Sequence, residues 1–208
     1  MKFINTDMKT HKTEILELMV NNFYDDPLYV HIFEDEDKRK ACLKIFFESY
    51  IRYLGSSALI SISEDMQGIG IAFDSEKAPS KIKTGALLLR FIIEAALLIK
   101  VVGFSGYIRC LKTISVMSSV WIDELNINPY LHLDLMVVNK AYRGRGYFKF
   151  WLDTMEDHAK QNNATLTLET QNIINVKLYE KYGFKLIREI KLKNTNITQY
   201  CMTKSLCK

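Results

Sequence analysis

Apolar positions recur at helical spacing at Ile15, Leu18, Met19 and Phe23, which predicts a first helix that Asp25-Asp26-Pro27 closes with a turn. The period returns over Lys38–Leu54 through Leu43, Phe46, Phe47, Tyr50 and Leu54, a second amphipathic helix. Ala58–Ser63 and Ile69–Phe73 read as two strands about a turn at 64–68. Ile82–Phe104 is the most apolar stretch, with a further helix expected through Ile108–Leu125. The pattern then alternates: strand Tyr130–Val138, helix Tyr147–Asn162, strand Thr165–Gln171, helix Ile174–Tyr182, strands Phe184–Leu192 and Ile197–Thr203. Gly183 falls where a helix C-terminal glycine belongs. Strand, helix, strand implies a βαβ unit with parallel pairing.

Ile82–Phe104 has the length of a membrane span, but it contains Arg90, Glu94 and Lys100. A charge at the centre of a spanning helix costs roughly 2.5–3.5 kcal/mol. Arg90 and Glu94 stand at i,i+4, where they can pair, and a span would divide strands that must share a sheet. A helix buried in the protein is the better reading. With three prolines and no Ser/Gly-rich linker, the 208 residues suggest one domain over 1–208.

Composition narrows the classes. The net charge of +4, from 28 basic and 24 acidic residues, is thinly spread. The densest basic group, Lys181–Lys193, is interrupted by Gly183, Phe184 and Glu189. Neither nucleic acid nor a membrane is therefore expected as partner. Cys42, Cys110, Cys201 and Cys207 form no CxxC pair, and the four histidines lack ligand spacing, so free thiols and no metal are expected. Met1–Lys12 is polar and mixed rather than a signal sequence, which points to the cytoplasm.

Candidate chemistry begins on the strand Tyr130–Val138. Its odd positions, Leu131, Leu133, Leu135 and Val137, are apolar and should face a core, whereas His132 and Asp134 share the other face. Buried polar groups need partners or a wet cavity, so these two are either a satisfied structural pair or part of a site. Arg143-Gly144-Arg145-Gly146 follows, at the start of the helix carrying Phe148, Trp151, Leu152, Met155 and Ala159. Free amides at a helix N-terminus bind phosphate, glycines allow close approach, and the arginines add charge, although such a run also suits an exposed turn. Gly68-Ile69-Gly70 lacks the third glycine and the helix of a dinucleotide motif. Leu166 and Leu168 alternate with Thr167, Glu169 and Gln171. Tyr179, one turn before Gly183-Phe184, suits aromatic packing.

In this order the pieces resemble a GNAT superfamily N-acetyltransferase. Met136-Val137-Val138-Asn139-Lys140-Ala141-Tyr142-Arg143-Gly144-Arg145-Gly146 resembles the family's central strand and pyrophosphate loop. Leu168-Glu169-Thr170-Gln171-Asn172, running on to Lys177-Leu178-Tyr179-Glu180-Lys181-Tyr182-Gly183-Phe184, resembles its second conserved segment. The apolar insertion and Asp25-Asp26-Pro27-Leu28 are similar to the puromycin N-acetyltransferase-like branch. The resemblance is strong over 130–192. It implies an α/β (α+β) fold: a mixed central sheet of about six to seven strands flanked by helices, with a helical insertion at about 81–126 before the central strand. It implies acetyl-CoA as co-substrate, a small-molecule amine as acceptor and direct attack in a ternary complex, with a homodimer left open. Met136, Val137 and Val138 would hold the pantetheine arm. Arg143, Gly144, Arg145, Gly146, Tyr147 and Phe148 would hold the pyrophosphate, Asn172 the pantetheine or a water, and Tyr179 would protonate the departing thiolate. His132 would act as base, directly or through water, with Asp134 orienting or charge-balancing it and Glu169 in reserve. Phe148 stands where the family has a small residue, so its side chain must turn from the phosphates. A non-catalytic acyl-CoA-binding module is the alternative.

Overall fold

The computed structural model describes residues 3–5, 10–54, 58–77, 81–117, 119–193 and 195–206. The strands are β1 (Phe3–Asn5), β2 (Ala58–Ser63), β3 (Gly68–Asp74), β4 (Tyr130–Val138), β5 (Thr165–Thr170), β6 (Lys185–Lys191) and β7 (Thr198–Lys204). They form one seven-stranded sheet in the order β1-β2-β3-β4-β5-β7-β6. Every pairing is antiparallel except β4–β5, the one parallel pair the βαβ reading implies. The helices are α1 (Lys12–Phe23), α2 (Pro27–Ile32), α3 (Glu36–Leu54), α4 (Lys81–Ala95), α5 (Ile99–Val116), α6 (Val120–Glu124), α7 (Tyr147–Gln161) and α8 (Ile173–Lys181). The α4–α6 insertion lies between β3 and β4 as expected. Its breaks fall at a short 3-10 turn over Ala96–Leu98 and at Gly103, whose φ of 71° interrupts α5. β1 and α2 are the elements the hydrophobic pattern did not reveal.

Each face of the sheet carries its own core. Ile60, Ile62, Ile69 and Ile71 pack with α1 and α3 through Ile15, Met19, Leu43 and Phe47. Ala72, Leu166, Leu168 and Met202 pack with α7 through Trp151, Leu152, Met155 and Ala159. The buried positions of α7 are one helical stripe, with Tyr147 rather than Phe148 at its head.

β4 departs from simple alternation. Leu131 and Leu133 belong to the α7 core, but Leu135 and Val137 belong to the α1–α3 core. The cause is a β-bulge: Ile71 pairs with Leu135 and the next residue, Ala72, with Leu133, leaving Asp134 unmatched. The extra residue flips every later side chain of β4 to the opposite face and re-aims Asp134. The expectation that the four odd positions share one core is thereby corrected.

Gly70 packs against Trp151, which explains the glycine pair without a nucleotide. A Cβ at Gly70 would lie 2.1 Å from the indole, whose Nε1 donates to Ser61 at 3.0 Å. Gly70→Ala is expected to destabilise by about 1–3 kcal/mol, as overpacking does. A lowered denaturation midpoint with an unchanged slope checks this. Cys42, Cys110 and Cys201 are buried free thiols; Cys207 lies outside the described residues. Among the described residues no helix is long and apolar enough to cross a membrane.

Candidate active site

Past Leu133↔Leu168 the parallel pairing of β4 and β5 stops, although β4 runs on to Val138 and β5 to Thr170. The two strands splay, and a cleft of about 720 Å³ opens, lined by Met136, Val137 and Val138, the Arg143–Lys149 turn, Asn172 and Tyr179. The amide of Asn139 donates to Gln67 O at 2.8 Å, towards β3. Because successive peptide groups along a strand point to opposite edges, the N–H and C=O of Val138, and of Met136 before it, face the gap. Arg143 Nε donates to Val138 O at 3.4 Å, which places that carbonyl on the open side.

At the floor of the cleft, Gly144 and Gly146 take φ of 77° and 88°, conformations that favour glycine. Gly146 is the N-cap of α7 and supplies no side-chain cap. The first-turn amides of Tyr147, Phe148 and Lys149 therefore lack an intrahelical acceptor and sit at the positive end of the helix dipole. Arg143 also reaches Asn22 Oδ1 at 3.3 Å, and Arg145 stacks on the Tyr142 ring at 4.8 Å. The ring of Phe148 turns to α8, 4.9 Å from Tyr182 and 5.6 Å from Tyr179 between centroids. Phe148, which stands where the resembled family has a small residue, thus packs on α8 while still lining the cleft.

On the far wall, Asn172 caps α8, accepting from Ile174 N–H at 3.0 Å, and its amide nitrogen remains available. Tyr179 packs on Phe148 and Phe184. Among the described residues its hydroxyl has no hydrogen-bond partner. Burial, with Asp26 nearby, pushes that hydroxyl up to about 12, so it holds its proton at neutral pH.

Beyond the bulge the expected base takes a different arrangement. His132 is buried, with Nδ1 3.0 Å from Thr167 Oγ1 and Nε2 2.9 Å from Glu169 Oε2. Both ring nitrogens are engaged, and the partner is Glu169 rather than Asp134. Glu169 also accepts from Trp121 Nε1 at 2.5 Å. Although burial works against the imidazolium, the carboxylates of Glu169 and Asp134 raise the His132 pKa above its ordinary value. Burial likewise opposes the Glu169 carboxylate, but His132 and the Trp121 and Ser119 hydrogen bonds lower its pKa. Each shift favours the charged form of its group, and the hydrogen-bond partner of His132 is Glu169, with Asp134 acting on it only through its charge.

The sign of each shift defines a stability window. The raised His132 contributes fully below its unfolded value of about 6.5 and loses this as pH rises through the folded value. The lowered Glu169 contributes above about 4.3 and loses this as pH falls through its folded value. Thermal denaturation of Glu169→Gln is expected to lose the stability maximum between those limits that the parent shows.

Asp134 is crowded by protein on all sides, yet its side chain is exposed to solvent. Solvent at that exposed face moderates but does not abolish the effect of crowding. Crowding raises the carboxyl pKa above the ordinary carboxylate value, against the lowering influence of His132 and Tyr50. Tyr50 donates its hydroxyl to Asp134 Oδ2 and keeps its proton, its own pKa driven well above the usual 10 by burial and by Asp134. Among the described residues no cation pairs with Asp134. Tyr50 and Trp121 are the site residues sequence reasoning missed. A hydroxyl within the Phe46–Phe47–Leu54 stripe was the available signal for Tyr50.

Residues 86–184 match the family described as acetyltransferase (GNAT). That segment runs from within α4 to the residue that lies past α8 and directly precedes β6. A protein from Corynebacterium glutamicum described as histone acetyltransferase HPA2 and related acetyltransferase has this GNAT fold. It superposes with a TM-score of 0.66 at 15% identity, over 100% of this chain and 97% of that one. Arylalkylamine N-acetyltransferase 2 from Aedes aegypti gives 0.59 at 12% identity, covering 99% of both chains. A chain of the NatC complex bound to Gag peptide and CoA gives 0.51 at 12% identity, covering 99% of this chain and 98% of that one. These likenesses show the fold. No curated protein matches the sequence.

Proposed function

We propose that the protein is an acetyl-CoA-dependent N-acetyltransferase that acts on the primary amine of a small molecule by direct attack in a ternary complex. The splayed gap between β4 and β5 carries this reading, because it joins gap-facing strand groups, first-turn helix amides and a protonated tyrosine in one cleft. The turn amides and Arg143 suit a diphosphate, with Arg145 at the rim. The gap-facing groups of Met136 and Val138 suit the amides of a pantetheine arm, and their N–H groups can polarise a thioester carbonyl. The insertion between β3 and β4, with Asp25–Pro27 lining the cleft, supports keeping the puromycin N-acetyltransferase-like branch within the proposal.

An alkylammonium, with a pKa of about 10.4, must lose a proton before it attacks. Asp134 is the group suited to bind that ammonium and take its proton, directly or through water, since it is exposed, forms no ion pair among the described residues, and its raised pKa makes it a stronger base than an ordinary carboxylate. Tyr179 supplies the proton that the departing thiolate needs. The acceptor is accordingly a cationic amine whose remaining surface would meet Tyr50, the ring that hydrogen-bonds Asp134.

Mass spectrometry of an amine panel incubated with protein and acetyl-CoA is expected to reveal acetylated cationic amines. Tyr179→Phe should lower turnover by about 100-fold or more while acetyl-CoA still binds. Unchanged turnover would return Tyr179 to packing alone, and the absence of any product would favour the acyl-CoA-binding module.

A further inference from the structure

Helix α4 is apolar on two opposite sides. Phe91, Ala95 and the following Leu98 are buried against the α3 side of the protein. Leu89, Ile93 and Leu97, spaced i, i+4, i+8, occupy the opposite side and are 59%, 63% and 50% exposed. Leu88 flanks them at 47%, and beyond the break at Gly103 the chain presents Phe104 at 68% exposure. An amphipathic helix would place polar residues there. A contiguous exposed apolar strip of this kind marks an interaction surface.

Charge identifies what covers it. Of 28 basic and 24 acidic residues in the chain, six and one lie within 81–117: Lys81, Lys83, Arg90, Lys100, Arg109 and Lys112 against Glu94. This segment is net +5 while the remainder is net −1. Its one acid is shared by two arginines, Arg90 at 2.8 Å and Arg52 at 3.3 Å, so that cluster stays positive. Lys100 falls between Leu97 and Phe104, within the strip itself. A second copy of the chain would bring two inserts of the same sign together, whereas an anionic surface complements both the charge and the apolar strip.

We propose that the α4–α5 insertion docks on an anionic lipid bilayer, lying in the interface with Leu89, Ile93, Leu97 and Phe104 facing the acyl chains and the basic residues facing the headgroups. Docking of this kind needs no spanning helix. Seen whole, the thinly spread charge of the chain conceals it; seen by segment, the insertion holds the entire positive excess. The surface is independent of the acetyl-transfer reading.

The full chain is tested by flotation with phosphatidylcholine vesicles, alone or mixed with phosphatidylglycerol. The protein is expected to float with the mixed vesicles only, and to be released as salt is raised. Lys100→Glu should weaken this binding roughly tenfold or more, since each charge near such a surface counts for about fivefold. Ile93→Glu should abolish it. Both positions are exposed and outside the cleft, so unchanged circular dichroism and acetyl-CoA binding serve as controls. Flotation with neither vesicle, or equally with both, overturns the proposal. So does a dimer in sedimentation that Ile93→Glu dissociates, which would give the strip to a second copy.

Discussion

Asp134→Asn is expected to lower kcat by about 100- to 10,000-fold while leaving acetyl-CoA affinity unchanged. The amide keeps the shape and can still accept from Tyr50, but it cannot take a proton. The pH profile separates this from a packing defect. In the parent, kcat/KM should fall as pH drops through the raised pKa of Asp134, because the protonated carboxyl neither attracts an ammonium nor accepts its proton. Tyr50→Phe removes a hydrogen bond that lowers that pKa, so the acid limb should move to higher pH. A limb at the same pH in both proteins would assign the titration to another group. An Asp134→Asn enzyme with parental kcat would remove Asp134 from the reaction and return attention to His132.

Gly146→Glu should cause the second large effect, the loss of measurable acetyl-CoA binding. A side chain at a φ of 88° costs about 1–2 kcal/mol, and the carboxylate would stand among the amides meant for a diphosphate. Since that substitution also strains the start of α7, Arg143→Ala is the gentler companion. Losing a charge-assisted hydrogen bond of about 1.5–3 kcal/mol predicts an affinity lower by roughly tenfold or more, with stability retained. Calorimetry showing parental affinity in both variants would detach the turn from the cofactor.

The half of the site lying on contiguous chain was legible in the sequence. Strand β4, the Arg143–Gly146 turn and α7 follow one another within 32 residues, so period and turn chemistry placed the strand, turn and helix that line the cleft, and Asn172 and Tyr179 follow at the cap of α8 and on it. What pairing determines was hidden. The parity switch in β4 arises from the Ile71–Ala72 step of β3, and β4 alone reads as unbroken alternation. The partners of Asp134 and Glu169 stand 84 and 48 residues away, Tyr50 on α3 and Trp121 on α6, and no local pattern shows which carboxylate each one meets. A three-residue β1 is too short to show a period, and its order comes from pairing with β2.

A crystal structure with CoA bound tests the central claim most directly. The account predicts the diphosphate within hydrogen-bonding distance of the amides of 144–148, and the pantetheine arm along Met136–Val138 in the gap between β4 and β5. Its sulfur should end near the hydroxyl of Tyr179. CoA bound elsewhere, or a gap closed by side chains with Tyr179 remote from the sulfur, would contradict it.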